Sequence, residues 1–266
     1  MIGRGNVLVA LLGSVLLALL VSGCSSSTVS LRASRAADLS HFGLSEEELR
    51  ANTDWSVQQA LERKPTAQFP VVVATVRVQA PGYSSWHSRT RGGGAYSVVT
   101  DRDIEEDDDL KAIANLPRID GVAPLSGLLI PQMLNDDREL RTAAARVHAD
   151  MLLIYTIDTE FTTDDGMRPL TVFTLGLAPT KSVRVGTTAS ALLMDTRSGY
   201  IFSVAEATEE EEQLANAWTS QDAIKQVSRR TERAAFEELV DRFIEEWPRV
   251  LAEYDPEGSG TSVTSR

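Results

Sequence analysis

Histidine and cysteine are the side chains most ready to do chemistry near neutral pH, and this chain carries only His41, His87, His148 and Cys24. His87 stands in Ser84-Ser85-Trp86-His87-Ser88, which sets hydroxyls beside an imidazole, the two members of a nucleophile–base pair. Neighbours in a loop do not hold triad geometry, which needs the base oriented by a third group, and no acid is fixed nearby. His148 falls beside Asp150 at the end of a predicted helix, where the dipole favours an imidazolium. His41 adjoins Phe42 and has no partner in the pattern. No His-Glu-x-x-His, Gly-x-Ser-x-Gly or phosphate-loop signature occurs. The expectation is a chain with no catalytic residue, no cofactor and no metal site.

Three other patterns come close to a site. Arg91-Gly92-Gly93-Gly94 could turn backbone amides toward an anion, but outside a strand–loop–helix context it reads as a mobile turn. The acidic runs Glu105–Asp109 and Glu209–Glu212 read as solvated faces or loop ends, because consecutive carboxylates diverge and neither run has the central glycine of a calcium loop. Asp158, Glu160, Asp164 and Asp165 around Gly166 come nearer to a cation cluster and read as an acidic β-turn. Across 266 residues, 26 basic side chains face 38 acidic ones. A net charge of −12 repels polyanions, so no nucleic-acid partner is expected. A single cysteine excludes an intramolecular disulfide and a thiolate metal cage.

The elements that must position these residues begin after an N-terminal leader. Met1–Asn6 is short and carries Arg4, and Val7–Val21 is an apolar run shorter than the about 20 residues a spanning helix needs. Small residues follow, so 1–23 reads as a signal peptide. Val21-Ser22-Gly23-Cys24 resembles the lipobox of bacterial lipoproteins. That resemblance implies that Cys24 becomes the first residue of the mature chain, carrying a diacylglyceryl thioether and an N-acyl chain. Two or three chains at about 0.8 kcal/mol per buried CH₂ anchor a protein stably. Serine after the cysteine points, in the enteric pattern, to the outer membrane. Residues 24–39, opening with Ser25-Ser26-Ser27-Thr28, read as the lipidated cysteine and a flexible tether.

Residues 40–252 read as one α+β domain, α/β-like, with a mixed sheet of about five strands packed by three to four helices. Ser45-Glu46-Glu47-Glu48 is a capping box that opens a helix with Leu49 inward, and a second helix runs from Asp54 to Lys64-Pro65. Phe69–Val78, rich in valine, is a buried strand. A helix over Ile104–Leu116, a strand over Gly121–Ile130 and a helix capped by Asp136–Glu139 follow. Met151–Ile157 is a central strand. A meander then takes Leu170–Leu177, Val183–Met194 and Tyr200–Ala207, with Gly199 left-handed in the last turn. A long helix over Ser220–Trp247 turns Phe236, Val240, Phe243 and Trp247 to the core, and Pro248 should end or kink it. Residues 253–266 read as a disordered tail.

Pro70–Val78, Ala149–Tyr155 and Ala191–Tyr200 together resemble a group of envelope lipoproteins. The group includes the outer-membrane lipoprotein activators of penicillin-binding proteins and the curli-secretion lipoprotein. The resemblance implies an anticodon-binding-like domain on the periplasmic face of the outer membrane. It also implies a membrane contact through Cys24 and an envelope protein as partner. The function expected is that of a non-catalytic, lipid-anchored adapter or regulator of an envelope or cell-wall machine. A second reading is an oligomeric secretion-pore subunit of the curli type, with Leu170–Met194 as its membrane hairpin. A third, an envelope hydrolase, lacks a nucleophile–base pair.

Overall fold

The valines of 71–78 branch at Cβ and pack well on a pleated surface, so this segment builds the centre of the sheet. The computed structural model describes residues 28–50, 53–83, 89–164, 182–214 and 221–255. Along them run β1 (Thr28–Ser34), α1 (Glu46–Arg50), α2 (Thr53–Glu62), β2 (Val71–Gln79), β3 (Thr90–Arg91), β4 (Gly93–Gly94) and β5 (Ser97–Val99). Then come α3 (Asp107–Ala114), β6 (Ile119–Pro124), β7 (Met133–Leu134), α4 (Arg138–Arg146), β8 (Met151–Asp164), β9 (Ser182–Asp195), β10 (Ile201–Leu214) and α5 (Gln221–Tyr254). The protein is an α+β domain with a mixed sheet and a long C-terminal helix.

Both edges of β2 are paired. One runs parallel to β8, from Val73↔Met151 to Val76↔Ile154. The other runs parallel to β6 over Val71–Thr75 and antiparallel to β5 over Arg77–Gln79. Residues 73–80 are consequently buried, as the continuous apolar run anticipates. β8, β9 and β10 form the antiparallel meander, and Gly199 in its last turn takes φ +71°. Helices cover both faces. α3 and α5 lie over Val71, Val73, Met151, Leu153 and Leu193. α4 and residues 37–42 lie over Ala74, Val76, Leu152, Ile154 and Met194. Phe236, Val240, Phe243 and Trp247 of α5 are buried as their spacing requires. No helix among the described residues is long and apolar enough to cross a membrane.

The structure corrects the sequence reading in several places. The sheet has eight strands rather than five, and residues 28–34 are one of them rather than part of a tether. β1 pairs antiparallel with the outer half of β8, from Thr28↔Asp164 to Ser34↔Thr159, an edge that β2 leaves open. The last strand runs on to Leu214, so Glu209–Glu212 lies in β10 and not at a loop end. Ser182 at the start of β9 pairs with Asp164, and β9 has β8 on one edge and β10 on the other. The proposed hairpin Leu170–Met194 therefore loses its second strand to the sheet; Leu170–Leu177 lies outside the described residues. α3 is shorter than expected, with Glu106 and Asp109 forming its capping box.

α5 continues through Pro248 to Tyr254. A mid-helix proline costs about 3 kcal/mol, and the last turn is held from outside. Val250 is buried, the Tyr254 ring stacks edge-on against Tyr200 and Phe202, and Asp255 accepts from Arg118 Nε at 2.6 Å. The fold thus reaches residue 255. The signal peptide, Cys24 and the tail beyond 255 lie outside the described residues.

Candidate functional site

Among the residues singled out for chemistry, His41 is exposed in a turn 4.0 Å from Asp38, and His148 is exposed with φ +58° just past α4. His87 lies outside the described residues. The Arg91–Gly94 segment is no mobile turn. Gly93 and Gly94 form β4 and pair with β7, and Gly92 at φ +85° sits so close to Leu134 that a Cβ would fall 2.2 Å from its Cδ1. The amides of Gly93 and Ala95 donate to Gln132 and Leu134 carbonyls, both at 2.8 Å, and so do not face an anion. Asp158 and Glu160 stand along β8 instead of in a turn, because the strand continues to Asp164. No group of three or more His, Cys, Asp or Glu among the described residues is placed to hold a metal ion.

The sequence reading missed a charge cluster inside the domain. Arg77, from the valine strand, has a side chain only 1% exposed. Its Nη1 donates to Asp103 Oδ1 at 2.9 Å and lies 3.9 Å from Glu105 Oε1, while Nη2 lies 3.7 Å from Glu232 Oε2. Tyr155 donates to Glu105 Oε1 at 2.8 Å, and Ser34 and Thr159 donate to Glu232 Oε1 at 2.6 and 3.1 Å. Burial disfavours the guanidinium charge, but Glu105 and Glu232, with Tyr83 and Asp103 beyond them, outweigh it and hold the Arg77 pKa above its ordinary value. Burial and the Glu105 carboxylate together push the Tyr155 phenol far up, so it stays a neutral donor. One cation among three carboxylates ties β1, β2, β8, α5 and the 103–105 segment together. The nearby cavity, lined by Tyr155, Ile113, Phe236 and Phe243, has room for about 20 Å³, far below the about 300 Å³ of the smallest ligand pockets.

The opposite arrangement occurs at α1 and α2. The capping box forms as read: Glu48 N–H donates to Ser45 Oγ at 3.2 Å, and Ser45 N–H donates back to the Glu48 carboxylate. Arg63 donates to Glu48 Oε1 at 2.7 Å and so closes the hairpin. Burial pushes the Glu48 carboxyl up, but Ser45 and Arg63 more than offset this and hold it below the usual range. Leu49 does not face inward as expected. It is 44% exposed, and Trp55, Val57 and Leu61 are 39%, 51% and 82% exposed. None of residues 54–62 is buried. Val57 and Leu61, four apart, share one face of α2, while Trp55, Gln59 and Glu62 share another. That second face, with Glu47, Glu48 and Arg63, walls a groove of about 480 Å³.

Both stems of the hairpin are fixed to the β9–β10 turn. Gly43 lies against the Gly199 carbonyl, where a Cβ would come within 2.9 Å. After α2, the Ala67 amide donates to Asp195 Oδ2 at 2.7 Å and the Thr66 hydroxyl to Oδ1 at 2.9 Å. Arg197 and Ser198 amides complete the set at 2.8 and 2.9 Å. Burial raises the Asp195 carboxyl, but the amides of Ser198, Thr66 and Ala67 with the Thr66 hydroxyl outweigh this and leave it below the usual range. A rigid turn therefore carries a helical pair whose apolar residues face water. Comparison with protein-family models and with curated proteins finds no match for this chain.

Proposed function

We propose that this chain is a non-catalytic lipoprotein of the bacterial envelope, held at Cys24 by its lipid, whose domain binds a protein partner through the α1–α2 hairpin. The observation that carries this reading is α2, a helix without one buried residue from 54 to 62 that holds Val57 and Leu61 against solvent. A short helix is marginal in water and draws its stability from an apolar face that packs. Among the described residues no element buries Val57 and Leu61, and a partner would. The adjoining groove, with Trp55 beside Glu47, Glu48 and Glu62 and only Arg63 to balance them, favours a segment that brings basic side chains along with apolar ones. The lipobox resemblance at Val21–Cys24 supports the anchor, the serine after it supports the outer membrane, and the closed Arg77 cluster fits a domain that binds without reacting.

The test is a pair of folded variants in cells. Val57→Asp with Leu61→Asp should leave melting and abundance unchanged yet reproduce the phenotype of deletion. Val204→Asp, an exposed valine on β10, should also leave melting and abundance unchanged and should not reproduce that phenotype. A fully functional hairpin variant overturns the docking site. Separately, Cys24→Ala should move the protein from the detergent to the aqueous phase of Triton X-114, and unchanged partitioning overturns the anchor.

A further inference from the structure

The register of the sheet places the two proposed attachments, lipid and partner, at opposite ends of the molecule. β1 begins at Thr28, four positions after Cys24, and Thr28 pairs with Asp164, Asp164 with Ser182, and Ser182 with Leu214. These residues form the last row of the sheet. β1 then runs inward, away from the cysteine, to Ser34↔Thr159. Four residues span at most about 14 Å when fully extended. At the other end stands the row Met151↔Asp195, whose turn fixes the stems of α1–α2. Between the two rows β8 rises 3.3 Å per residue, about 40 Å in all.

Resting on the lipid anchor at Cys24, we infer that the Thr28–Asp164–Ser182–Leu214 end of the sheet faces the bilayer. The domain stands on that end and presents α1–α2 about 40 Å out into the aqueous space. The chain between lipid and sheet is too short for the domain to invert and stand on its hairpin end. Charge opposes the domain lying down on its open sheet face. Among the described residues, that face carries near the lipid end Glu160 from β8 and Glu206, Glu210 and Glu212 from β10, with Arg184 from β9 in their midst. Carboxylates pressed against anionic headgroups cost free energy, and an upright or α5-side stance avoids this. The partner of the hairpin is accordingly sought in the layer beyond the membrane and not among proteins buried in the same leaflet.

The lipidated full-length protein, reconstituted in vesicles of phosphatidylethanolamine and phosphatidylglycerol, tests the orientation. Cys24 is consumed by lipid, so Glu212→Cys and Leu61→Cys each offer one free thiol for a fluorophore; both sites are solvent-exposed. Headgroup-attached quenchers should quench the label at 212 several-fold more than the label at 61. Equal quenching, or stronger quenching at 61, with the protein floating on the vesicles overturns the orientation alone. Protein that fails to float overturns the anchor reading beneath it. A Gly-Ser insertion between Ser27 and Thr28 should reduce quenching at 212, and no change there also counts against the short-leash geometry.

Discussion

The Arg77 cluster and the α1–α2 hairpin invert the usual placement of side chains in opposite directions. Around Arg77, charge is inside: three carboxylates and a guanidinium are enclosed by β2, α5 and the 103–105 segment. At the hairpin, apolar groups are outside, with Val57 and Leu61 in water. The first arrangement sets its cation among carboxylates of its own domain. The second has room beside it, and no described residue buries Val57 or Leu61. Unusual polarity marks a functional surface only where something from outside can reach it. By that standard the cluster is architecture and the hairpin is the proposed site.

Substitutions that separate architecture from site sharpen the contrast, beginning with the largest effect. Arg77→Met leaves Asp103, Glu105 and Glu232 without their cation and should cost about 3–5 kcal/mol, as removing one member of a buried ion pair does. Urea denaturation reads this directly, and a loss near zero would mean the carboxylates are solvated after all. Asp195→Asn breaks the joint between the hairpin stem and the β9–β10 turn, at about 2 kcal/mol for hydrogen bonds to a charged acceptor. Because the folded carboxyl titrates below the unfolded one, its contribution is full above about pH 4 and fades as pH falls through the folded pKa. The melting difference between wild type and Asp195→Asn should therefore be wide at pH 7 and shrink as the pH falls through the folded pKa, below about 4. A constant difference would assign the effect to packing.

Smaller effects fall on the hairpin itself. Ser45→Ala removes an N-cap worth about 1 kcal/mol, which hydrogen exchange should show as faster opening of α1 and α2 with the sheet unchanged. Protection lost throughout the domain would show that the hairpin is part of the core. Leu61→Ser should change global stability by less than about 0.5 kcal/mol and weaken partner binding. A large stability loss there would erase the distinction between the two regions.

How much of this was legible depends on where the forces originate. β2, the first half of β8, the capping box at Ser45, Gly199 and the apolar stripe of α5 all follow from local pattern, because their own side chains decide them. β1 was legible in part: Val29, Leu31 and Ala33 alternate with Thr28, Ser30, Arg32 and Ser34. Its serines suggested a linker, and only the open edge of β8 makes it a strand. Passage of α5 through Pro248 depends on Tyr200, Phe202 and Arg118, which are distant in sequence. The cluster left two traces. Thr75, Arg77 and Gln79 put polar groups on the face of β2 that Val71 and Val73 begin, and Glu232 sits one turn before Phe236 on the buried stripe of α5. A charge at a core-facing position asks for an opposite charge elsewhere, but sequence does not say where. Leu49 is exposed because no described element covers it, which no local pattern encodes.

β1 sets a schedule for biogenesis. The strand is among the first segments of the domain to be made, yet its hydrogen-bond partner ends at Asp164. At about 5–20 residues per second, on the order of ten seconds separates their synthesis. During that interval an alternating strand has its amides and carbonyls open to other chains. The sheet cannot close from the N-terminus forward; β1 must wait for the outer half of β8. Folding of this domain is therefore governed by a late, long-range closure, the kind of step that raises contact order and slows the search. A nascent chain of this protein should depend on holding factors until residue 164 has emerged.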